Sequence, residues 1–305
     1  MEKEVYELLI IGAGPAGLSA GIYGARAGMR TVIIEKGIPG GTITTTHLVE
    51  NYPGFPDGIS GSQLGDLMKK HCQRFGVEII TGNVKGIKKE KVFEIQMDNG
   101  SMLSNTVIIA TGSSPRRLNV PGEDRLLGRG VSYCATCDGP LFKNQDVAII
   151  GCGNSGLQEG RFLLKFVRSI TFIEFLPYVT ADKILYDSIA NEKNVKFLLN
   201  HEVLEINGGM RVESIKVKNR MTDEVQIINV AGVFIYVGLI PNSDFVRELL
   251  KTDDAGFIIT DEDYETSIPG IFAAGDVRAK KIRQVVVACS EGAQAAINAY
   301  HFLNH

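Results

Sequence analysis

Several features that define other protein classes are missing from this chain of 305 residues. No run approaches the roughly 18 consecutive apolar residues that a membrane-spanning helix needs. Residues 1–7 carry charges of both signs and lead straight into an apolar stretch, which does not resemble a secretory leader. The net charge of −3 lacks the concentrated basic surface of a general nucleic-acid binder. We therefore expect a soluble, cytoplasmic protein that binds neither nucleic acid nor membrane.

Cysteine is present but sparse. Five cysteines, an odd number, do not suit a framework of structural disulfides, and Cys72, Cys152 and Cys289 are isolated along the chain. Cys134 and Cys137 form a close pair. The five histidines form no cluster that would complete a zinc site with this pair, so we expect no bound metal.

What the chain does contain is an internal repeat. Residues 8–35 predict a strand, a glycine-rich turn, a helix over about 18–27, and a second strand that ends in an acidic residue. Residues 147–174 repeat this series at a constant offset of 139 positions, with the helix ending at about Lys165. The two turns are Gly12-Ala-Gly14-Pro-Ala-Gly17 and Gly151-Cys-Gly153-Asn-Ser-Gly156, and the two acidic residues are Glu35 and Glu174.

Each copy has the chemistry of a dinucleotide-binding unit. The first glycine permits a tight turn, the second lets the backbone approach a pyrophosphate, and the third lets the helix pack close to the strand. The acidic residue suits hydrogen bonds to ribose hydroxyl groups. One such motif is weak evidence, but two in the same context predict an α/β protein with two Rossmann-like (three-layer ββα) dinucleotide-binding domains.

The order of the segments predicts that the second domain is inserted into the first. Residues 268–276 are expected to form a buried strand that ends at a turn, and an Ala-rich helix is expected from about 290 to 303. Both would complete the first domain, which we place at 1–114 and 243–305. The second domain then spans 115–242, because proline and small residues mark both crossings.

The cysteine pair lies just before the second unit, in Cys134-Ala-Thr-Cys137-Asp138. Two-residue spacing lets two sulfur atoms reach bonding distance at a helix start, where the helix dipole lowers the pKa of a thiol. Half of a zinc site and two ordinary buried cysteines are the alternatives. Asp138 favours a redox-active pair, because a neighbouring carboxyl group can shuttle the protons that disulfide exchange requires.

Together these motifs resemble the low-molecular-weight thioredoxin reductase family over nearly the whole chain. Residues 49–54 (Val-Glu-Asn-Tyr-Pro-Gly), 110–112 and 273–276 match the family as well. The resemblance implies a homodimeric FAD enzyme that reduces thioredoxin through a Cys134–Cys137 disulfide. It further implies that Cys137 faces the flavin, that Cys134 attacks the partner disulfide, and that Asp138 is the acid/base.

The resemblance also implies which residues bind FAD. The glycine-rich turn and Glu35 would hold the pyrophosphate and the adenosine ribose, while Asn51, Asp276 and residues 283–285 would contact the isoalloxazine or the ribityl chain. The full expected set is Gly12, Gly14, Pro15, Ala16, Gly17, Glu35, Lys36, Gly40, Gly41, Thr42, Asn51, Ala110, Thr111, Gly112, Gly275, Asp276, Arg283, Gln284 and Val285.

The chain departs from the family in two places. Family members that use NADPH carry a His-Arg-Arg-type cluster after the second strand of the second unit, to grip the 2′-phosphate. Here Glu174 begins that segment, and no Lys or Arg occurs from Ser169 to Asp182. A carboxylate in contact with a phosphate costs on the order of 4 kcal/mol, so NADPH is not expected as donor. In addition, Gly40-Gly41-Thr42 stands where the family usually has Gly-Gly-Gln.

Two electron donors remain open. Glu174 suits the free 2′-hydroxyl group of NADH. The altered second unit also resembles that of the ferredoxin-dependent flavin thioredoxin reductases, in which the turn is vestigial, and a ferredoxin near about −400 mV can reduce a thioredoxin near about −270 mV. Reduced ferredoxin is the favoured partner, and its expected basic docking residues are Arg116, Arg117, Lys280, Lys281 and Arg283.

Two other functions compete with this interpretation. A flavin ferredoxin–NADP reductase of the same fold lacks an active cysteine pair, so Cys134 and Cys137 argue against it. A non-catalytic redox-sensing flavoprotein is the more distant alternative.

Overall fold

The computed structural model describes residues 4–46 and 49–304, and the side chains of Thr136 and Cys137 lie outside the described part. The chain divides into two compact units, Met1–Ser114 with Ile240–His305, and Pro115–Leu239. The second unit is thus inserted in the first. The predicted division at 242/243 lies slightly beyond the one that the structure shows.

Six helices and seventeen strands are assigned within the described residues. The strands are β1 (Val5–Ile11), β2 (Thr31–Glu35), β3 (Glu78–Thr81), β4 (Val84–Lys89), β5 (Phe93–Met97), β6 (Gly100–Ile109), β7 (Ser113–Pro115), β8 (Val131–Ser132), β9 (Asp146–Ile150), β10 (Ser169–Ile173), β11 (Val195–Leu198), β12 (His201–Asn207), β13 (Ser214–Asn219), β14 (Val225–Asn229), β15 (Gly232–Ile235), β16 (Leu239–Pro241) and β17 (Ile271–Ala273). The α-helices are α1 (Pro15–Arg26), α2 (Gly61–Arg74), α3 (Ala135–Asp138), α4 (Asn154–Leu163), α5 (Lys183–Asp187) and α6 (Val285–Asn304), and short 3-10 helices span Gly41–Thr45, Gly139–Phe142 and Asp244–Val246.

The first unit is built on a sheet of order β3-β2-β1-β6-β5-β4, with β17 beside the end of β6. Strands β3, β2, β1, β6 and β17 are parallel, and β4 and β5 form an antiparallel hairpin. Side chains of β1 alternate between two cores: Leu8 and Ile10 pack with α1 and α6, and Leu9 and Ile11 pack with the hairpin. This alternation creates the helix layer and the β layer on opposite faces of the sheet.

The second unit repeats this plan. Its parallel sheet has the order β11-β10-β9-β15-β8, and β12-β13-β14 form a separate antiparallel layer. Ile149 of β9 packs in a core with α4, while Ile150 packs in a core with residues of β12 and β13. Two three-layer ββα domains were predicted from the repeat, and this prediction is confirmed.

Two predicted elements have different bounds in the structure. The last strand, β17, is shorter than the expected 268–276, and α6 begins at Val285 instead of about Ser290. The run of β-branched valines at 285–287 has low helix propensity, which hid the helix start. Packing overrides this propensity, because Gly292 brings α6 directly against α1: an added Cβ there would lie 2.0 Å from the Ala16 carbonyl oxygen. Among the described residues, no helix is long and apolar enough to cross a membrane.

Candidate active site

The first glycine-rich turn connects β1 to α1. Gly12 has φ +105°, and a Cβ atom there would lie 2.4 Å from the carbonyl oxygen of Ala110. A Cβ atom at Gly17 would lie 1.8 Å from the carbonyl oxygen of Gly12, so both positions exclude a side chain. Gly14 is different: its backbone is extended, and the nearest atom to an added Cβ is the Gly41 Cα at 3.9 Å. The turn is therefore tightly packed at Gly12 and Gly17, and it has free space for a ligand only at Gly14.

Helix α1 begins at this opening with Pro15 at its first position. The backbone N–H groups of Ala16 and Gly17 belong to the first turn, where a helix has no internal acceptors. In a helix of 12 residues these N–H groups and the helix dipole favour an anion. The opening at Gly14 is thus suited to the phosphates of a dinucleotide.

Glu35, the last residue of β2, is fixed beside the turn by two hydrogen bonds. Its Oε2 accepts the N–H of Ala13 at 2.6 Å, and its Oε1 accepts the N–H of Gly37 at 2.7 Å. Neighbouring Lys36 is exposed. The carboxylate is therefore held at the turn in a position that suits a ribose diol.

The segment after β2 covers the turn with bare backbone. Gly40 donates its N–H to the carbonyl oxygen of Ala13 at 2.8 Å, and Gly40 and Gly41 both have positive φ. A Cβ atom at Gly41 would lie 2.9 Å from the Gly14 Cα. Thr42 follows in a 3-10 helix and is exposed. The Gly40–Gly41 segment and the turn at Gly14 are therefore so close that a side chain at Gly41 would not fit between them.

Residues 110–112 lie at the end of β6, next to the same turn. The Thr111 hydroxyl donates to the carbonyl oxygen of Asn242 at 2.7 Å, and the Asn242 side-chain amide donates to the carbonyl oxygen of Thr111 at 2.9 Å. Asn242 also donates its backbone N–H to the carbonyl oxygen of Gly112 at 3.0 Å. Sequence reasoning missed Asn242, which no local motif marks.

Gly275 and Asp276, just after β17, complete this edge of the sheet. Gly275 has φ +80° and lies against Ala16, and its N–H donates to Glu291 Oε2 at 2.7 Å. Lys280 forms ion pairs with Glu291 at 3.1 Å and with Asp276 at 3.3 Å. Its side chain is only 10% exposed, so its prediction as a surface docking residue is wrong.

The structure brings further predicted residues together near this edge. The Asn51 side-chain amide donates to Gln284 Oε1 at 2.9 Å, and Val285 begins α6. Two buried polar atoms have no hydrogen-bond partner in the described part of the chain: Asp276 Oδ1 and Arg283 Nε. Asp276 Oδ1 has the Lys280 ammonium at 3.3 Å, so only Arg283 Nε is left as a buried donor with neither a hydrogen bond nor an ion pair in the described part of the chain.

In the second unit, the redox segment follows β8. Cys134 is disulfide-bonded, and its backbone N–H donates to the Ser132 hydroxyl at 3.0 Å. The side chain of Cys137 lies outside the described residues, so its flavin-facing role stays a prediction. A disulfide-bonded sulfur is not a zinc ligand. Helix α3, Ala135–Asp138, has only four residues, so the expected effect of a helix dipole on the thiols is not supported.

The second glycine-rich turn has the same construction as the first. A Cβ atom at Gly151 would lie 2.2 Å from the carbonyl oxygen of Tyr236. Glu174, which is buried, accepts the N–H of Cys152 at 2.6 Å and that of Leu176 at 3.0 Å. Burial, and secondarily Glu174, raises the pKa of the Cys152 thiol to about 12, so this cysteine is chemically inert. The second turn keeps the geometry of a dinucleotide site.

A basic residue lies beside this turn that the sequence did not reveal. Arg220, which directly follows β13, places its guanidinium 3.5 Å from the centre of the Phe175 ring and donates to the Phe175 carbonyl oxygen at 3.0 Å. Counting charges from Ser169 to Asp182 missed it, because a hairpin distant in sequence supplies it. The ribose end of the second unit therefore has a positive charge near it.

Comparisons with known proteins agree with this architecture. The model of the pyridine nucleotide-disulphide oxidoreductase family matches residues 6–292. The thioredoxin reductase of Listeria innocua is 42% identical and covers 99% of this chain and 95% of its own length. The crystal structure of Lactococcus lactis thioredoxin reductase superposes with a TM-score of 0.95, at 41% identity, over 98% of this chain and 99% of that one.

A ferredoxin-flavin thioredoxin reductase from Clostridium acetobutylicum is more distant, with 29% identity and a TM-score of 0.54 over 98% of both chains.

Three observations lead to one family assignment: two dinucleotide turns on duplicated sheets, a disulfide-bonded Cys134, and these likenesses. The chain belongs to the low-molecular-weight thioredoxin reductases, which are FAD-dependent disulfide oxidoreductases.

Proposed function

We propose that this protein reduces the disulfide of a thioredoxin through Cys134 and Cys137. The observation that carries the proposal is the disulfide bond of Cys134 within a Cys-x-x-Cys turn of a chain that belongs to the thioredoxin reductases. Exchange begins when a thiolate of the reduced pair attacks the partner disulfide. Asp138, one residue after the pair, would hold the proton that the departing thiolate takes up.

The residues of the first unit fit FAD, which supplies two-electron transfer to the cysteine pair when it is bound. The turn from Gly12 to Gly17 would hold the pyrophosphate, and Glu35 would hold the adenosine ribose. Arg283 would offer its buried Nε, which has no hydrogen bond, and Asp276 would offer a carboxylate whose position Lys280 fixes by an ion pair. The homodimer and the cytoplasmic location also stay predictions.

Two cysteine variants test the reaction. Cys134→Ser and Cys137→Ser should each abolish reduction of thioredoxin, measured as free thiol released, while the purified protein keeps its flavin absorbance. Cys72→Ala is the matched control, because Cys72 is a free buried cysteine of the first unit. Retained thioredoxin reduction in either serine variant would contradict the proposal, and a colourless wild-type protein would contradict the flavin site.

For the electron donor, the geometry of Glu174 supports NADH. Both carboxylate oxygens of Glu174 accept backbone N–H groups, as those of Glu35 do. A turn that binds no nucleotide has no use for a buried carboxylate held in this way. A turn that binds NADH uses it to accept hydrogen bonds from the ribose diol. Glu174 opposes a 2′-phosphate, although Arg220 beside Phe175 reduces that opposition.

Reduced ferredoxin, favoured from the sequence, is the second candidate. The predicted resemblance to the ferredoxin-dependent group is not supported, because the ferredoxin-flavin thioredoxin reductase is 29% identical, against 41–42% for other thioredoxin reductases. The burial of Lys280 removes one of its expected docking residues, whereas Arg116 and Lys281 are exposed.

Anaerobic stopped-flow mixing with each donor separates the candidates. Fast loss of flavin absorbance with NADH, and slow loss with NADPH and reduced ferredoxin, is the expected result. Fast loss with ferredoxin alone would overturn the NADH proposal and identify the second turn as vestigial. Fast loss with NADPH would show that Arg220 outweighs Glu174 at the ribose.

A further inference from the structure

The redox turn is tied to the rest of its unit by a tyrosine. Tyr236 follows β15, and its hydroxyl oxygen accepts the backbone N–H of Ala135 at 3.0 Å. Ala135 is completely buried and follows Cys134 directly in the chain. A buried N–H group needs an acceptor, and the Tyr236 hydroxyl is the one that this structure provides.

The main chain of Tyr236 packs directly against the second glycine-rich turn. Its N–H donates to the carbonyl oxygen of Ile150 at 2.7 Å, and its own carbonyl oxygen occupies the space that a side chain at Gly151 would fill. Ala110 has this place in the first unit, where its N–H donates to the carbonyl oxygen of Ile11 at 2.8 Å. A phenol thus replaces a methyl group and extends from the dinucleotide turn to the redox turn.

The surroundings of the hydroxyl keep it protonated. Burial raises the pKa of Tyr236 well above its usual range and the Glu159 carboxylate raises it further, while the Ala135 N–H lowers it and Asp138 raises it by smaller amounts. The phenol is therefore neutral throughout the physiological range. A neutral hydroxyl can accept the Ala135 N–H and still carry its own proton near both carboxylates.

We propose that Tyr236 is a positioning residue that stabilises the redox turn in its disulfide form by holding the N–H of Ala135. Cys134 is disulfide-bonded in this structure, so the hydrogen bond is observed in the oxidised turn, and we take it to weaken when the disulfide is reduced. Tyr236 consequently makes the disulfide harder to reduce. The inference rests on the proposed redox role of Cys134 and Cys137.

The measured reaction is reduction of this disulfide by dithiothreitol. The protein S–S bond breaks and gains two electrons and two protons to give two thiols, while dithiothreitol is oxidised to its cyclic disulfide. The holoenzyme is equilibrated anaerobically over a series of dithiothreitol ratios, quenched with acid and alkylated. Mass spectrometry of the peptide that contains the pair then gives the reduced fraction at each ratio.

Tyr236→Phe keeps the ring and removes the acceptor, and it should raise the equilibrium constant for reduction about tenfold, a potential about 30 mV more positive. Ala135→Pro removes the donor instead, since proline has no N–H and suits the first position of a helix. It should give the same shift, and the double variant should add nothing. Tyr186→Phe, in α5 of the same unit, is the matched control and should leave the equilibrium unchanged.

The outcomes are distinct. An unchanged equilibrium in both Tyr236→Phe and Ala135→Pro, with only the melting temperature lowered, would overturn the proposal, because a merely structural role moves stability and not the potential. A shift to a more negative potential would overturn it as well. A wild-type pair that no dithiothreitol ratio converts would instead refute the redox role of the cysteines. If one variant does not fold, the other decides, because each deletes the same hydrogen bond from a different side.

Discussion

The two glycine-rich turns have nearly the same backbone but different surroundings. Gly12 donates its N–H to the carbonyl oxygen of Ile34 at 2.8 Å, and Gly151 donates to that of Ile173 at the same distance. Glu35 and Glu174 each accept the N–H of the residue after the first glycine at 2.6 Å. One backbone arrangement therefore serves both units.

The residues around each turn distinguish the two. Gly40 and Gly41 cover the first turn with bare backbone. At the second turn, Thr180 and Ala181 donate their N–H groups to the carbonyl oxygen of Cys152, and the Thr180 side chain lies near Gly153. The residue whose carbonyl oxygen packs against the first glycine is Ala110 in the first unit and Tyr236 in the second. The backbone arrangement thus defines a dinucleotide turn, and the side chains around it determine which ligand enters and what the turn is connected to.

The largest change in the free energy of unfolding is expected in the ion-pair cluster of Lys280, Asp276 and Glu291. Lys280→Met removes the ion pairs with Asp276 and Glu291 and leaves Asp276 without a cation in contact. We expect the free energy of unfolding to fall by about 3 kcal/mol, as when one partner of a buried pair is deleted. Chemical denaturation measures this change. Lys281→Met, at the exposed neighbouring position, should change it by less than about 0.5 kcal/mol. Equal effects of the two variants would mean that Lys280 is a surface residue after all.

The second prediction compares the openings of the two turns. Gly14 and Gly153 both have extended backbones that alanine adopts, and an added Cβ at Gly153 would meet only the Thr180 hydroxyl at 3.6 Å. Any large effect of alanine therefore reports a ligand at that place. Gly14→Ala should weaken FAD binding about 30-fold, or ~2 kcal/mol, measured by fluorescence titration of the apoprotein.

Gly153→Ala provides the contrast within the same experiment. It should leave FAD binding unchanged and weaken NADH binding by a similar factor, measured by calorimetry. If NADH binds neither the variant nor the wild type, the second turn is vestigial and the comparison between the units fails at this point.

The local motifs were predictable from the sequence, because the residues that create each turn are close along the chain. Gly12, Gly14 and Glu35 could be placed from spacing alone, since a strand, a tight turn and a helix fix their geometry locally. Asn242, Arg220 and Tyr236 could not, because each meets its partner only after the chain has folded. Arg220, for example, lies beside Phe175 through the pairing of hairpin strands and not through any pattern near either residue.

The same reasoning explains the errors. Lys280 appeared in a basic sequence run that suggested an exposed patch, but sequence charge does not show burial. Glu291, which pairs with it, lies in the second turn of α6 and carries no motif of its own. The pair forms only when α6 folds back beside the end of β17, so the sequence run gives no sign of it.

The third prediction tests whether the two carboxylates have equivalent roles. Glu35→Gln replaces one acceptor by an NH2 group that faces a backbone N–H, so FAD affinity should fall about tenfold, or ~1.4 kcal/mol. Glu174→Gln should cause the same loss for NADH and none for FAD. Dissociation constants from fluorescence titration decide. A loss of FAD affinity in Glu174→Gln would contradict the assignment of separate ligands to the two units.

The smallest effect is expected at the middle residue of each turn, which is Ala13 in the first and Cys152 in the second. Burial raises the pKa of Cys152 to about 12, while a thiol in the unfolded chain titrates near 9.0. Below pH 9 both states are protonated and Cys152 contributes no pH dependence. Between pH 9 and 12 only the unfolded state loses the proton, so the free energy of unfolding falls as pH rises, by at most about 1.4 kcal/mol per pH unit.

Cys152→Ala gives the second turn the residue found in the first. It should reduce that slope by up to one proton and change the free energy of unfolding at pH 7 by less than about 1 kcal/mol. Urea denaturation from pH 8 to 10.5 measures both quantities, and Cys72→Ala, whose thiol pKa burial also raises to about 12, should reduce the slope equally. An unchanged slope in Cys152→Ala would show that this thiol ionises in the folded turn, and the two turns would then differ in their interiors as well as in their surroundings.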